Sequence, residues 1–222
     1  MQQLGVIFDM DGVLVDSYQA HFASWRQLYS ELDQPYTEAD FAADFGRTSR
    51  DILRRRYPDM SDERVREIDD RKESLFREIL KGSFPAVDGA VELIEALTAE
   101  GFLVAVGSSA PPENVSFSLE KLGCSSKVNA IVTGADVKRG KPDPQVFQLA
   151  AERLGLAPTQ CLVIEDAVHG IEAAKRAGIA NIGLVGTATR AQLAAANLVV
   201  DSLRELTPTV IRDVVHTAIR SR

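Results

Sequence analysis

The chain has 222 residues, 45% hydrophobic and 26% charged, an ordinary globular composition long enough for one large domain or a domain that carries a smaller one. A formal net charge of -7 and a pI near 5.1 argue against broad electrostatic attraction to nucleic acid or an anionic membrane, and so toward a small-molecule partner. No apolar run approaches the roughly 20 residues of a spanning helix, and the start MQQLGVIFDMDG has no basic region followed by an apolar stretch and cleavage site, so a cytoplasmic protein is expected.

The first predicted strand, LGVIFD, runs straight into Asp9-Met10-Asp11-Gly12. Side chains at i and i+2 of an extended segment point the same way. Asp9 and Asp11 are therefore expected to share one small space, which two negative charges tolerate only with a cation or a proton between them. A pair of turn carboxylates before a glycine is the plain alternative.

Residues 18 to 82 carry Phe22, Trp25, Leu28, Ile52, Leu53, Ile68, Leu75, Phe76, Ile79 and Leu80 at roughly helical spacing, with heavy charge between them. They read as an inserted unit of about four helices, with no convincing strand. Its junctions, near Asp16-Ser17 and Lys81-Gly82-Ser83-Phe84-Pro85, suit a hinge, and the expected division is 1–16 with 84–222 against 17–83.

From residue 86 onward, β-branched runs alternate with helical segments: FLVAVG, NAIVTG, CLVIED, ANIGLV and NLVV lie between stretches such as PENVSFSLEKLG and AVHGIEAAKRAG. The helical stretches close with glycine in a C-cap position. This is the βαβ rhythm of an α/β fold with a doubly wound parallel sheet. Cys124 and Cys161 lack CxxC spacing and read as core or near-surface residues, not as a disulfide or a zinc site.

In an open parallel sheet, ligands bind outside the carboxyl ends of the strands. Four strands deliver polar groups there: Asp9 and Asp11; Ser108 and Ser109; Lys141 in the loop Gly140-Lys141-Pro142-Asp143-Pro144; and Glu165 with Asp166. Hard oxygen ligands without clustered His or Cys select Mg²⁺, expected here at Asp9, Asp166 and Glu165. Beside a metal-bound phosphoryl group, Asp9 can act as a nucleophile, Asp11 as proton donor and then base, and Lys141 and Ser108 as partners of the phosphoryl oxygens. Each element also has a bland reading, Lys141 as a surface lysine and Glu165-Asp166 as helix-capping acids. Gly134 to Lys141 lacks the spacing of a nucleotide-binding loop, and Gly107-Ser108-Ser109 lacks the flanks of a serine-hydrolase elbow.

Taken together and in this order, FDMDGVLVDS, VGSS, GKPDP and VIEDAVHG resemble the motifs of the haloacid dehalogenase superfamily of phosphotransferases. The resemblance implies that Asp9 is the nucleophile and that Asp11 is the general acid/base, with a backbone carbonyl on Mg²⁺. It makes Ser108 the phosphate-binding hydroxyl, Lys141 the stabiliser of pentacoordinate phosphorus, and Glu165 and Asp166 the acidic pair that holds the metal. An aspartate two residues after the nucleophile separates phosphotransfer members from dehalogenases. A helical cap after the first strand marks the subgroup of phosphoglycolate phosphatases, sugar phosphatases and β-phosphoglucomutases.

Within that subgroup, Phe45-Gly46-Arg47-Thr48-Ser49-Arg50-Asp51 is similar to the cap loop that contacts the non-transferred part of the substrate. The resemblance assigns Arg47, Ser49 and Arg50 to substrate binding, with the arginines suited to a second anionic group, and Ser109 beside them at the phosphate end. His21 matches a histidine that in β-phosphoglucomutases couples cap closure to proton transfer. The chain departs from the mutase pattern at Gly46-Arg47, where mutases carry Lys-Gly, and at Ala110-Pro111-Pro112, where they carry further polar groups. The expectation is a Mg²⁺-dependent phosphatase of a small phosphate monoester acting through an aspartyl-phosphate. A hexose phosphate mutase is the alternative, followed by a non-catalytic phospho-ligand binding module.

Overall fold

The computed structural model describes residues 2–44 and 48–220. The chain divides into two compact units, Met1–Asp16 with Ala86–Arg222, and Ser17–Pro85. In chain order the elements are β1 (Gly5–Phe8), α1 (Tyr18–Glu31), α2 (Glu38–Asp44), α3 (Ser49–Arg56), α4 (Asp62–Gly82), α5 (Ala90–Ala99), β2 (Leu103–Gly107), α6 (Pro112–Leu122), β3 (Ala130–Val132), α7 (Gln145–Arg153), β4 (Cys161–Glu165), α8 (Val168–Arg176), β5 (Ala180–Leu184), β6 (Leu198–Val200) and α9 (Pro208–Arg220).

The six strands form one parallel sheet in the order β3-β2-β1-β4-β5-β6. Helices cover both faces of such a sheet, so its central strands are buried throughout and read as continuous apolar runs. Every residue of β1, β4 and β5 is buried. On one face Ile7, Ala105 and Val163 pack against Phe147 and Ala150 of α7 and Ala173 and Ala174 of α8. Burying side chains of this size contributes about 1.5–3 kcal/mol each for the larger ones. Helix ends follow local sequence: α6 stops at Gly123, whose φ of 68° suits glycine at a left-handed C-cap.

The order 3-2-1-4-5-6 has its reversal point between β1 and β4, and the crevice beyond the carboxyl ends at such a point is where doubly wound sheets bind ligands. Register aligns Phe8 with Val106 on one side and Ile164 on the other. The residues after Phe8 and Ile164 are Asp9 and Glu165.

The helical unit has its own core of Trp25, Leu28, Tyr29, Tyr36, Phe41, Ile52, Leu53, Val65, Ile68 and Leu75. Thr48 and Ser61 cap α3 and α4 by accepting the N–H groups of Asp51 and Arg64. Tyr29 and Tyr36 stack at 4.6 Å, with Arg56 about 5 Å from both ring centres. No helix among the described residues is long and apolar enough to cross a membrane.

Candidate active site

Asp9 is pinned at the edge of the sheet, where its N–H donates to Ile164 O at 3.0 Å. The strand does not continue from there. The carbonyl of Met10 accepts N–H groups from Leu14 at 2.9 Å and Val15 at 3.0 Å, folding the chain into a turn through Gly12 at φ +81°. The extended-strand argument for Asp9 and Asp11 is thereby corrected, since Asp11 sits in a turn, although its charge still bears on Asp9. Gly12 is required twice: its φ is left-handed, and a Cβ there would overlap the Asp166 carboxylate. Gly170 in α8 plays the same part for Glu165, whose carboxyl occupies the space a Cβ would take.

Lys141 joins the two strand ends. Its Nζ donates to Asp9 Oδ1 at 2.7 Å and to Glu165 Oε1 at 2.6 Å, and it lies 4.8 Å from the centre of the Phe147 ring. The lysine side chain is only 10% exposed, so these bonds are sheltered from water. Glu165 Oε2 accepts the N–H of Ala167 at 2.7 Å. This fixes the carboxylate against the start of α8, although the N-cap position itself belongs to Ala167.

Asp9, Glu165 and Asp166 are all buried, with one oxygen of each within 4.8 Å of the others. Three carboxylates against one ammonium leave an excess of negative charge in a low-dielectric space. Burial first, and then Glu165 and Asp11, push the Asp9 carboxyl up to about 7 even though Lys141 pulls it down. Asp166 is driven well above the carboxylate range by burial, then by Glu165 and Asp9. Burial opposes the charge on Lys141, but Asp9 and Glu165 outweigh it and hold the ammonium above the usual lysine range. A divalent cation removes this excess, and an all-oxygen donor set suits a hard ion. The residues present therefore fit a metal of the magnesium type.

Ser108 is buried at the end of β2, one residue past Gly107, where its Oγ accepts the Ala110 N–H at 3.0 Å. Ser109 is exposed. The core unit thus gathers Asp9, Glu165, Asp166 and Lys141 into direct contact range, with Asp11 and Ser108 on the adjoining turn and strand end.

In the helical unit, His21, Ser49 and Arg50 belong to a hydrogen-bonded cluster built on α4. Ser49 Oγ donates to Glu73 Oε1 at 2.7 Å, Arg50 Nε to Asp69 Oδ2 at 2.7 Å, and Lys72 Nζ to Glu73 Oε1 at 2.9 Å. Lys72 Nζ also lies 2.8 Å from His21 Nδ1, within hydrogen-bond distance. The His21 ring stacks on Phe76 at 4.0 Å. Arg47 lies outside the described residues.

Asp69, Lys72 and Glu73 were not anticipated. The signal was present: Val65, Ile68, Asp69, Lys72, Glu73, Leu75, Phe76 and Leu80 make the buried side of α4, so three charged residues stand among its apolar positions. Lys72 is 1% exposed, and a lysine this buried demands a partner.

A profile of the haloacid dehalogenase-like hydrolases matches residues 4–178. The chain is 33% identical over 182 residues to a phosphorylated carbohydrates phosphatase of Thermotoga maritima, covering 80% of this chain and 82% of that protein. It is 30% identical over 200 residues to the validoxylamine A 7'-phosphate phosphatase of Streptomyces hygroscopicus, covering 90% of this chain and 94% of that one. Among solved structures, a β-phosphoglucomutase of Clostridium difficile superposes with a TM-score of 0.87 at 25% identity, covering 98% of this chain and 99% of that one.

Proposed function

The chain belongs to the haloacid dehalogenase-like hydrolase family, and from that premise we propose that it is a phosphatase of small phosphorylated carbohydrates, with Asp9 as its nucleophile. The observation that carries this reading is the bridge of Lys141 between Asp9 and Glu165 in a buried cluster with Asp166. Its relatives that act on phosphorylated carbohydrates support the substrate class.

In this mechanism an Asp9 oxygen attacks phosphorus and the ester oxygen departs, taking a proton from Asp11. Lys141, already at Asp9, offers its positive charge to the phosphoryl oxygens as negative charge builds on them, and Ser108 supplies a hydroxyl to the same group. Asp11, now ionised, takes a proton from water, which attacks the aspartyl-phosphate and releases inorganic phosphate with Asp9 restored. Asp9, Asp166, Glu165 and the Asp11 carbonyl would hold magnesium, whose charge supplies further electrostatic stabilisation of the transferring group. The charge of Asp11, in the turn through Gly12, bears on Asp9, which supports its role as the proton donor.

Asp9→Asn tests the assignment. It removes the nucleophilic carboxylate while preserving shape, so phosphate release from sugar phosphates is expected to vanish while the circular dichroism and melting profile persist. Retained turnover sinks the nucleophile, and a rate untouched by EDTA sinks the metal.

A mutase reading draws on the likeness to the β-phosphoglucomutase structure. With β-glucose 1-phosphate and a trace of glucose 1,6-bisphosphate, glucose 6-phosphate forming much faster than free phosphate would favour it. Phosphate as the main product favours the phosphatase.

A further inference from the structure

Of the two arginines that the resemblance offers for a second anionic group, Arg47 lies outside the described residues and Arg50 is already paired. Arg50 Nε donates to Asp69 Oδ2, and Lys72 donates to Glu73 Oε1. Asp69, Lys72 and Glu73 stand at i, i+3 and i+4 of α4, so one face of the helix presents acid, base and acid in succession. Among the described residues the cluster therefore holds two cations and two carboxylates, with Ser49 bonded to one of those carboxylates.

The two partners of the outer pair differ in burial. The Arg50 side chain is 62% exposed and that of Asp69 is 12% exposed. The carboxylate is part of the framework of the unit, and the guanidinium is the solvent-facing member of the pair. An anion approaching Arg50 also meets the fixed charge of Asp69, which cancels most of the attraction. A hydroxyl both donates and accepts, and it loses nothing from that arrangement.

We infer that Asp69 is a specificity-determining residue: by holding Arg50 it keeps the recognition cluster of the helical unit neutral. The protein then takes phosphate monoesters of neutral, hydroxyl-bearing molecules and discriminates against esters that carry a second anion, such as a carboxylate or another phosphate. The inference deepens the phosphatase reading above and rests on it for its substrates. It also bears on the mutase alternative, because a mutase must hold a bisphosphate.

Asp69→Asn deletes the charge and keeps a carbonyl oxygen as acceptor for Arg50. In the inert Asp9→Asn background, calorimetry gives the dissociation constants of glucose 6-phosphate, phosphoglycolate and glucose 1,6-bisphosphate. Adding Asp69→Asn is expected to tighten phosphoglycolate and the bisphosphate relative to glucose 6-phosphate by roughly tenfold, the size of one unmasked charge at partly exposed distance. With Asp9 intact, the ratios of kcat/KM should move in the same sense. Ratios unchanged within twofold overturn the inference. Asp69→Ser removes the same charge by a different shape and carries the same expectation if the asparagine variant does not fold. Binding needs no turnover, so a native chain that hydrolyses none of these esters refutes the phosphatase reading while the dissociation constants still decide the role of Asp69.

Discussion

Replacing Lys141 by methionine keeps an unbranched stem against Phe147 and deletes the single positive charge among three buried carboxylates. In the native chain the ammonium makes two sheltered bonds, at 2.7 Å to Asp9 and 2.6 Å to Glu165. Stripping one partner from a buried ion pair costs about 3–5 kcal/mol, because the remaining charge stays buried and unpaired. The lost cation–π contact with Phe147 adds about 1 kcal/mol. Lys141 pulls the Asp9 carboxyl down, so its loss pushes that carboxyl further up, and proton uptake there relieves part of the cost; the comparison therefore belongs at alkaline pH, well above the native value of about 7. There the metal-free variant is expected to unfold about 4 kcal/mol more easily than the metal-free native protein. Urea unfolding followed by circular dichroism, in EDTA and in saturating Mg²⁺, measures it. A cation at the same carboxylates takes over the role of the ammonium, so Mg²⁺ should stabilise the variant more than the native chain, for which about 2.7 kcal/mol is expected at a hundred times Kd. Phosphate release should collapse in both conditions. Equal stability of the two proteins in EDTA would refute the neutralising role of Lys141. No stabilisation of either protein by Mg²⁺ would refute metal binding by these carboxylates, and equal stabilisation of both would refute the exchange of roles between ammonium and metal.

Gly170→Ala drives a methyl group into the Glu165 carboxyl, and overpacking of this kind costs about 1–3 kcal/mol. Because the displaced Glu165 leaves Lys141, Mg²⁺ affinity measured by calorimetry should weaken by roughly tenfold or more. Trimming Glu165 to alanine in the same chain removes every overlapping atom and should recover part of the lost melting temperature; no recovery would mean that the glycine serves the α8 backbone instead. Asp136 is held down to about 2 from 3.8 by Arg153 and by the backbone N–H and hydroxyl of Thr133. A depressed carboxylate adds stability above its unfolded pKa and loses it as pH falls through the folded value. Asp136→Asn should therefore cost about 1 kcal/mol at neutral pH, allowing for solvent screening, with the difference disappearing between about pH 4 and 2 in acid-unfolding curves.

Much of the core unit was legible because its signals are local. β-Branched runs separated by glycine-terminated helices mark parallel βαβ units wherever the chain later packs, and each of the six expected strands is present in the sheet. The polar groups at the sheet edge were legible for the same reason where they follow directly on a strand, as Asp9, Ser108 and Asp166 do, whereas Lys141 comes from the loop beyond β3. The turn after Asp9 escaped the alternation argument because hydrogen bonds to a single carbonyl, that of Met10, override the strand period once Gly12 permits a left-handed φ.

The helical unit was less legible, since a charge run such as Asp69-Asp70-Arg71-Lys72-Glu73 reads as a solvated face until its phase on α4 is known. Arg50 illustrates the limit. Its type and motif position suit an anion, but only the approach of α4 to α3 shows that Asp69 already holds it.

By itself the sequence determined the fold class, the succession of strands and helices, and the kinds of side chain delivered to the strand ends, because these depend on spacing along the chain. Tertiary structure decided that β1 lies between β2 and β4, that Lys141 reaches across 132 positions to Asp9, and that Lys72 is buried beside His21. These depend on pairings between distant segments, where burial removes water and leaves each charge to find its partner in space.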